Sequence, residues 1–342
     1  MIRTRASCVS SLFIVLVILS VLLLTGTLFK TQNFDENQHL VSEAFHECRF
    51  WAMISPSMPE SVAMNQLVYG EQSLKNLGAI NYNGWGLAYF NSCEPTVLRG
   101  ALPANSDPAF DLAAQELAES GSKIGVGHVR RATSGASDIP NPHPFMRLKG
   151  GKWWAYGHNG GLSEPALREL IGQEYLDQNP PTVGDNWSDP RVVDSDLYML
   201  YILKCIEEND WNVTAGVAKA IRNITKNAYG TMNFFLTDGE TLWGFRLGNT
   251  LHYYYNETSP SYAVIASQPP TNNDEGWIEL HDYNFIILKM NNPPIIIDKI
   301  TAVPEFTSLP ILSLIMIATL LAAIIYKKTQ CRFDGKTIFK CS

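Results

Sequence analysis

The sequence predicts an α+β domain built on antiparallel strands, with one transmembrane helix at each end of the chain. Between Cys48 and about Ile300, short segments rich in aromatic and β-branched residues alternate with turn signals, a composition typical of half-buried strands. Helical segments lie between some strands, without the strict alternation that a parallel sheet requires. Two uncharged apolar segments near the termini are long enough to cross a bilayer.

Several predicted strands follow one another directly along the chain. The run MNFFLT, LWGFRL and LHYYY has no helix between its members, which favours antiparallel meanders over a doubly wound sheet. The predicted strands are FWAMI, GWGLAYF, KIGVGHV, KWWAYGH, MNFFLT, LWGFRL, LHYYY, YAVIAS and FIILKM.

Helix-start signals and helical periodicity mark four further segments. Asp107 is a predicted N-cap, with Pro108 in the first turn behind it. Ser163 and Pro165 repeat that arrangement later in the chain. The predicted helices cover residues 107–120, 163–176, 194–209 and 213–225.

The net charge and the cysteine content argue against several classes of protein. The 342 residues carry a net charge of −7 and no long basic run, which argues against nucleic acid as a partner. The 6 cysteines form no CxxC pair and no dense framework, so neither a disulfide-stapled scaffold nor a metal or other cofactor is expected. Cys93 and Cys205 could form a disulfide or remain free thiols, and the sequence leaves both states open.

Residues 11–29 and 309–326 are the predicted membrane-spanning helices. Basic residues precede the first segment and follow the second. The first segment could instead be a signal peptide, and either could be a buried core helix. The positive-inside rule places the tails, residues 1–10 and 327–342, in the cytosol and the region between the spans outside it.

The region between the spans divides into three parts. Residues 30–47 are a polar linker or propeptide, residues 48–300 form the domain, and residues 301–308 form a short tether. Sequons of the form N-x-S/T occur in this region and in neither tail, which agrees with an extracytosolic domain. The candidate glycosylation sites are Asn186, Asn212, Asn223 and Asn256.

Three polar clusters are candidates for a functional site. GHVRRATSG, residues 127–135, offers arginines suited to a carboxylate, or is simply a solvated turn. YGHNGGL, residues 156–162, is either a hairpin turn or an oxyanion hole, in which an Asn amide and the next backbone N–H face one oxygen. VVDSDLY, residues 192–198, either complements a helix dipole or binds a substrate ammonium group.

Taken in chain order, these motifs and Cys48 resemble the class II glutamine amidotransferases, which are N-terminal-nucleophile (Ntn) hydrolases. The resemblance runs to about Ile300, and residues 266–280 look like a branch of small stand-alone amidotransferase-like proteins. It implies a four-layer αββα sandwich with two antiparallel sheets. The matching motifs are Cys48-Arg49-Phe50, Asn83-Gly84-Trp85-Gly86, His128 to Gly135, Asn141 to Phe145, His158-Asn159-Gly160 and Asp194-Ser195-Asp196.

The resemblance implies a role for each matching residue. Cys48 would be the nucleophile, with its own freed α-amine as general base, because a terminal amine titrates near neutrality. Asn159 and the N–H of Gly160 would form the oxyanion hole. Attack on a side-chain amide would release ammonia and leave a γ-glutamyl thioester, which water then hydrolyses.

The same resemblance implies how glutamine would be bound. Arg130 would hold the α-carboxylate, Thr133 would help to line that pocket, and Asp194 would hold the α-ammonium group. Asp196 stands where the family usually has Glu, and a structural role is expected for it.

The sequence departs from the family at the nucleophile and around it. An amide-linked Cys48 nitrogen is not a useful base, so either the bond between Glu47 and Cys48 is cut or the site is inactive. Asn83 replaces an Asp that related sequences often carry. Arg131 occupies a position where many relatives have an aromatic residue, which would alter the pocket lid.

The expected function is that of a membrane-anchored amidohydrolase that cleaves the side-chain amide of glutamine or a γ-glutamyl amide. No synthase domain is attached and the domain faces outward, so hydrolysis is favoured over transfer of the ammonia. One alternative is a catalytically inactive surface module in which Cys48 is never freed. Another is an amidotransferase that supplies a partner synthase, which the sequence does not identify.

Overall fold

The computed structural model describes residues 48–91, 94–132, 143–227, 230–303 and 321. The strands, in chain order, are β1 (Arg49–Ile54), β2 (Trp85–Tyr89), β3 (Thr96–Gly100), β4 (Ile124–Val129), β5 (Phe145–Lys149), β6 (Lys152–Gly161), β7 (Thr231–Thr237), β8 (Thr241–Phe245), β9 (His252–Asn256), β10 (Tyr262–Ala266), β11 (Ile278–Glu279), β12 (Phe285–Lys289) and β13 (Ile295–Ile297).

Within these residues the helices fall into two groups. The α-helices are α1 (Glu60–Met64), α2 (Leu74–Leu77), α3 (Pro108–Glu119), α4 (Glu164–Ile171), α5 (Gln173–Gln178), α6 (Asp194–Glu207) and α7 (Val213–Asn227), with a π-helical turn at Asn65–Tyr69 and a 3₁₀ turn at Ile300–Ala302. Helices α1 to α3 pack on one sheet, whereas α4, α6 and α7 pack together on the other.

The strands form two antiparallel sheets. The first has the order β11-β9-β10-β1-β4-β2-β3, and the second has the order β13-β12-β8-β7-β6-β5. An apolar layer between the sheets joins their facing sides, while each outer side is covered by helices. The predicted α+β class with two antiparallel sheets is confirmed, and the helices complete a four-layer αββα sandwich.

Successive side chains of a strand point to opposite faces, so β1 contributes residues to two hydrophobic cores. Phe50, Ala52 and Ile54 lie in the layer between the sheets. Trp51 and Met53 point the other way and pack against the helices on the outer side. Because β1 has β4 on one side and β10 on the other, both of its faces and both of its edges are covered. Cys48 is therefore followed directly by a buried central strand of the first sheet.

The sequence predicted most of the elements. Each predicted strand is present, while β3, β5, β11, β13, α1 and α2 were not predicted, although β3 and β5 are as long as several strands that were. Asp107 caps α3 as expected, accepting a hydrogen bond from the Ala109 N–H at 3.0 Å. The single helix predicted over residues 163–176 is wrong: Gly172, at φ 81°, ends α4 and starts α5. Ser163 stands at the N-cap of α4 but makes no side-chain capping bond.

The predicted membrane segments and part of the cysteine question lie outside the described residues. Residues 11–29 are among those the structure does not describe, and of residues 309–326 only Leu321 is described. In the described part of the chain, no helix combines the length and apolar character that a membrane crossing needs. Cys205 is a buried free thiol, and Cys93 is not described.

A buried ion pair joins β5 to the start of α6. Arg147 Nη2 lies 2.7 Å from Asp196 Oδ1, and the two side chains are only 10% and 2% exposed. The other carboxylate oxygen accepts bonds from the N–H and hydroxyl of Thr182 at 2.7 and 2.9 Å. These contacts fit the structural role expected of Asp196, because every one of them joins parts of the fold to each other.

Removing the arginine should therefore destabilise the domain strongly. We expect Arg147→Met to lower the free energy of unfolding by about 3–5 kcal/mol, because it leaves a buried carboxylate without its counter-charge. Lys75→Met is the control: its pair with Asp111 is more exposed, and its loss should cost about 1 kcal/mol or less. Urea unfolding measures both changes, and equal losses in the two variants would contradict this account.

Candidate active site

Cys48 stands immediately before β1, at the end of the first sheet where β1 begins and its antiparallel neighbour β4 ends. Its Sγ accepts a hydrogen bond from the Arg131 N–H at 3.3 Å and faces the Arg131 carbonyl oxygen at 3.4 Å. Register explains the contact: Arg49 is paired with Val129, so the residues preceding β1 lie beside those following β4. Strand pairing thus places the thiol against the GHVRR motif, 83 positions further along the chain.

Arg130 leaves β4 at this point and is buried, with 4% of its surface exposed. Its backbone is fixed at both ends, because its N–H donates to the Gly84 carbonyl and its carbonyl accepts from the Asn83 N–H, each at 2.9 Å. The Asn83 side-chain oxygen also accepts from the Ala132 N–H at 2.9 Å. An Asp would offer the same acceptor, so the Asn found here preserves the support. The solvated-turn interpretation of this motif is wrong for Arg130.

Asp194 is the first residue of α6 and reaches back to the end of β6. Its Oδ2 accepts a hydrogen bond from the Leu162 N–H at 2.7 Å. Its negative charge acts on both the Cys48 thiol and the Arg130 guanidinium, which places the three groups within one electrostatic site. Asp194 is 7% exposed, so this field is only weakly screened by water.

Asn159 and Gly160 lie near the end of β6, which continues through Gly161 without a turn. The hairpin-turn interpretation of this motif is therefore wrong. Asn159 is fully buried, its Oδ1 accepts from Asn249 Nδ2 at 3.1 Å, and its own Nδ2 has no hydrogen-bond partner among the described residues. Gly160 is required by close packing, because a Cβ there would lie 2.0 Å from the Thr231 carbonyl oxygen.

Three buried histidines form contacts that connect β4, β6 and the start of α6. His128 Nε2 is 3.2 Å from the His158 carbonyl oxygen and 3.1 Å from His143 Nδ1. His158 in turn places Nδ1 2.9 Å from the Ser195 hydroxyl. The carbonyl contact requires a proton on His128 Nε2, which sets the tautomer of that ring. In the described part of the chain, no cluster of His, Cys, Asp or Glu is arranged to hold a metal ion.

Burial sets the protonation states of these groups. Burial raises the pKa of the Cys48 thiol to about 11, although the Arg131 N–H and the Arg130 charge act in the opposite direction. The thiol is therefore neutral at pH 7 and needs a base before it can attack. Burial lowers the pKa of His128 to about 3 and also lowers those of His143 and His158, so all three imidazoles are neutral.

Five of the residues named from the sequence lie on elements that contact one another: Asp194 acts on Cys48 and Arg130 and hydrogen-bonds next to the end of β6, which carries Asn159 and Gly160. Two others lie outside the description. Arg131, expected to alter the pocket lid, stacks its guanidinium over Tyr82 at 4.4 Å and donates to the Ile80 carbonyl. Glu47 and Thr133 are not among the described residues. The five residues on contacting elements are Cys48, Arg130, Asn159, Gly160 and Asp194.

Sequence reasoning missed a second group of residues, which supports the first. Asn249 and Asn233 are both buried, and they hold the Asn159 side chain through a chain of hydrogen bonds. Asn249 lies in RLGNT, between β8 and β9, where an Asn next to Gly resembles an ordinary turn residue. No local signal distinguishes it from such a residue, because its partner is 90 positions away.

An αββα sandwich with a cysteine opening a central strand of one sheet defines the class of Ntn-type hydrolase folds. Within that class, the model of the class-II glutamine amidotransferases matches residues 57–260 of the chain. Since this match covers more than half of the sequence, the chain belongs to the class II glutamine amidotransferase family, whose members act on carbon–nitrogen amide bonds. The matched region begins after Cys48, so it does not itself include the cysteine.

Individual relatives have low sequence identity to this chain. A Haemophilus influenzae protein whose name assigns it to the glutamine amidotransferases is 25% identical over 234 residues, which cover 60% of this chain and 73% of that protein. An uncharacterized protein of Methanocaldococcus jannaschii is 27% identical over 234 residues, covering 66% of this chain. The match spans only 57% of that archaeal relative.

Solved structures share the fold at low sequence identity. A glutamine aminotransferase class-II domain protein from Silicibacter pomeroyi has a TM-score of 0.50 and 18% identity, covering 74% of this chain and 99% of that one. The glutamine phosphoribosylpyrophosphate amidotransferase of B. subtilis has a TM-score of 0.52 and 14% identity, covering 75% of this chain and 50% of that enzyme. These likenesses concern the fold alone.

The neutral histidines should make stability fall in mild acid. In the unfolded chain each imidazole titrates near its ordinary pKa of about 6.5, whereas burial keeps the folded values lower. Below pH 6.5 the unfolded state therefore binds more protons, and each group that remains neutral in the fold removes up to about 1.4 kcal/mol of stability per pH unit.

Urea unfolding between pH 7.5 and 5 measures this slope. We expect His143→Leu to reduce the slope, because one of the three depressed pKa values disappears. His281→Gln, at an exposed position, is the matched control and should leave the slope unchanged. A wild-type stability that stays constant down to pH 5 would contradict the assignment of neutral buried imidazoles.

Proposed function

We propose that the protein is a membrane-anchored amidohydrolase of the class II glutamine amidotransferase type, which hydrolyses the side-chain amide of glutamine or a γ-glutamyl amide. One observation supports this most: the Cys48 thiol shares an electrostatic site with Arg130 and Asp194. Three residues before Leu162, which donates to Asp194, the buried Asn159 has an amide donor with no partner among the described residues. A nucleophile, a cation, an anion and a spare donor are the groups that such a reaction needs.

The α-amine of Cys48 supplies the base once the Glu47–Cys48 bond has been cut. A terminal amine has a pKa of about 7.7–8.0, so part of its population is unprotonated at neutral pH and can accept the thiol proton. This base is needed because burial raises the thiol pKa to about 11. The thiolate attacks the amide carbon, and the ammonium formed on Cys48 returns its proton to the departing ammonia.

Asn159 and Gly160 stabilise the oxyanion that forms during this attack. The Nδ2 of Asn159 donates to the developing negative oxygen, and the Gly160 N–H donates beside it. Collapse of the intermediate releases ammonia and leaves a γ-glutamyl thioester on Cys48. Water, deprotonated by the same amine, then hydrolyses the thioester by a second passage through the same oxyanion hole.

Charge complementarity selects the substrate. Arg130 binds the α-carboxylate, because its guanidinium offers paired donors with the geometry of a carboxylate. Asp194 binds the α-ammonium group, and Thr133 completes the lining of this pocket. The two opposite charges, held within one site, fit the zwitterionic end of an amino acid.

The maturation step provides the decisive test. The mature protein should begin at Cys48, and it should release ammonia from glutamine. We expect Cys48→Ala to reduce hydrolysis by at least about 10³-fold, because the nucleophile and its activation are both lost. Cys205→Ala is the control, since it removes a buried free thiol of α6 outside the site.

N-terminal sequencing and intact mass of the purified protein show whether the chain begins at Cys48. An ammonia assay measures glutamine hydrolysis. A mature chain that still carries Glu47 contradicts the enzyme proposal and favours the inactive surface module. Labelling of Cys48 by a glutamine-like diazoketone without net glutamine hydrolysis would favour an amidotransferase that acts with a partner synthase.

We also propose that residues 11–29 and 309–326 anchor the domain in a membrane with its catalytic face extracytosolic and its C-terminal tail in the cytosol. The candidate glycosylation sites differ in a way that makes this testable. Asn186 and Asn212 are exposed, whereas Asn223 lies within α7 and donates its Nδ2 to the Tyr201 hydroxyl at 2.9 Å. Asn256 is partly buried, and its Nδ2 donates to two backbone carbonyls.

Glycan attachment in microsomes should therefore be selective. We expect Asn186→Gln and Asn212→Gln each to remove one glycosidase-sensitive step in gel mobility, because an accessible surface amide is the acceptor. Asn223→Gln is the matched control and should leave the mobility unchanged. A wild-type chain without any glycosidase-sensitive shift would contradict the extracytosolic orientation and leave the proposed chemistry intact.

A further inference from the structure

A single side-chain amide, that of Asn249, contacts the oxygens of the two amide groups whose N–H bonds form the proposed oxyanion hole. Its Nδ2 lies 3.1 Å from the side-chain oxygen of Asn159 and 3.2 Å from the backbone carbonyl oxygen of the same residue. Asn249 is 4% exposed, so water does not compete effectively for these bonds. The family match and the motifs assign no role to this residue.

The two contacts together fix the orientation of both amides. If Asn249 were flipped, its oxygen would face the Asn159 backbone carbonyl, and two acceptors would repel each other. The carbonyl therefore determines the orientation of Asn249. Asn249 in turn presents hydrogens to Asn159 Oδ1, which leaves Asn159 Nδ2 on the side away from this contact. That Nδ2 is the buried donor without a partner among the described residues.

The second contact acts on the Gly160 N–H. The carbonyl of Asn159 and the N–H of Gly160 belong to one planar trans peptide group, in which they point in opposite directions. The bond from Asn249 to the carbonyl adds to the pairing of Asn159 with Asn233 in holding this peptide group, and so in holding the direction of the N–H. Gly160 cannot compensate by shifting, because the Thr231 carbonyl and the His158 ring already touch the position of its missing Cβ.

Asn249 is itself held by Asn233, which lies directly opposite Asn159 in the pairing of β6 with β7. Asn233 Nδ2 donates to the Asn249 carbonyl at 2.7 Å and to the Thr250 carbonyl at 3.1 Å. Its Oδ1 accepts from the Leu247 N–H at 2.8 Å. Arg246 Nε also donates to the Asn249 carbonyl at 2.9 Å. Four hydrogen bonds thus hold the loop that carries the Asn249 amide.

We propose that Asn249 is a positioning residue that orients the Asn159 side-chain amide and the Gly160 N–H toward the oxyanion. This inference rests on the proposed function, in which that pair stabilises the negative oxygen. Asn249 does not touch the reacting atoms. Its contribution should appear in kcat and not in substrate binding, because the oxyanion forms only after the thiolate has attacked the bound amide.

The test compares Asn249→Ala and Asn249→Leu with Asn284→Ala. Asn284 is a matched control: it is 5% exposed, and its side chain also joins two backbone segments, accepting from the His281 N–H and donating to the Asp298 carbonyl. Ammonia release is measured on the mature enzyme, with the active sites counted by diazoketone labelling of Cys48. We expect both Asn249 variants to lose about 10- to 100-fold in kcat with less than about threefold change in KM. Asn284→Ala should keep its kcat per labelled site.

A double-mutant cycle separates positioning from general damage. Asn159→Ala should cost about 10²- to 10³-fold in kcat, and adding Asn249→Ala to it should cost less than about threefold more. Fully multiplicative losses, or an Asn249 variant with wild-type kcat, would overturn the proposal. Equal losses of kcat in the Asn249 and Asn284 variants would do the same.

A spectroscopic reading does not depend on turnover. In ¹⁵N-labelled protein the Asn159 side-chain amide should give one sharp pair of signals, and Asn249→Ala should broaden or shift it. If wild-type enzyme neither hydrolyses glutamine nor reacts with the diazoketone, the proposed function fails. The positioning of Asn159 by Asn249 is then decided by these signals, and signals unchanged in Asn249→Ala would overturn it.

Discussion

The antiparallel pairing of β1 with β4 is the constraint on which the candidate site depends. It aligns Arg49 with Val129, and so it brings a cysteine that precedes one strand to an arginine that follows the other. The thiol then hydrogen-bonds to the backbone of Arg131. A shift of the register by one residue would turn Trp51 and Met53 into the layer between the sheets, so the packing of both cores enforces this alignment.

The polar groups near this junction lie in surroundings that are otherwise apolar. Unpartnered side-chain atoms among the described residues include Asn159 Nδ2, the Tyr156 hydroxyl and one nitrogen each of His128 and His143. Each such atom lowers the stability of the fold, typically by about 1–3 kcal/mol. Such unpartnered polar groups on β4, β6 and the residues before β5 are typical of a site that binds a ligand, because they gain partners only when substrate is present.

The sequence predicted those features that are encoded locally. Alternating apolar residues in FWAMI or MNFFLT determine a strand and its two faces, and Asp107 followed by Pro108 determines a helix start. The helix predicted over residues 163–176 is divided because Gly172 adopts a positive φ, which tertiary packing selects and periodicity does not reveal. The candidate site residues came from an ordered series of motifs, since no single motif distinguished a site from a turn.

The contacts that complete the site could not be predicted, because they join residues far apart in sequence. Asn249 bonds to Asn159 across 90 positions, and His128 bonds to the His158 carbonyl across 30. Asp196 was expected to be structural, but its partner Arg147 lies on a different element, and nothing in the sequence indicated the pair. Only the folded arrangement shows that these side chains are buried and which groups they support.

The raised pKa of the Cys48 thiol also bears on how long the nucleophile survives. With a pKa of about 11, only about one thiol in 10⁴ is ionised at pH 7, and thiolates are the species that peroxides and disulfides attack. While Cys48 is still linked to Glu47, its thiol is therefore slow to oxidise. Burial without a neighbouring base thus protects the thiol from oxidation until the chain is cut.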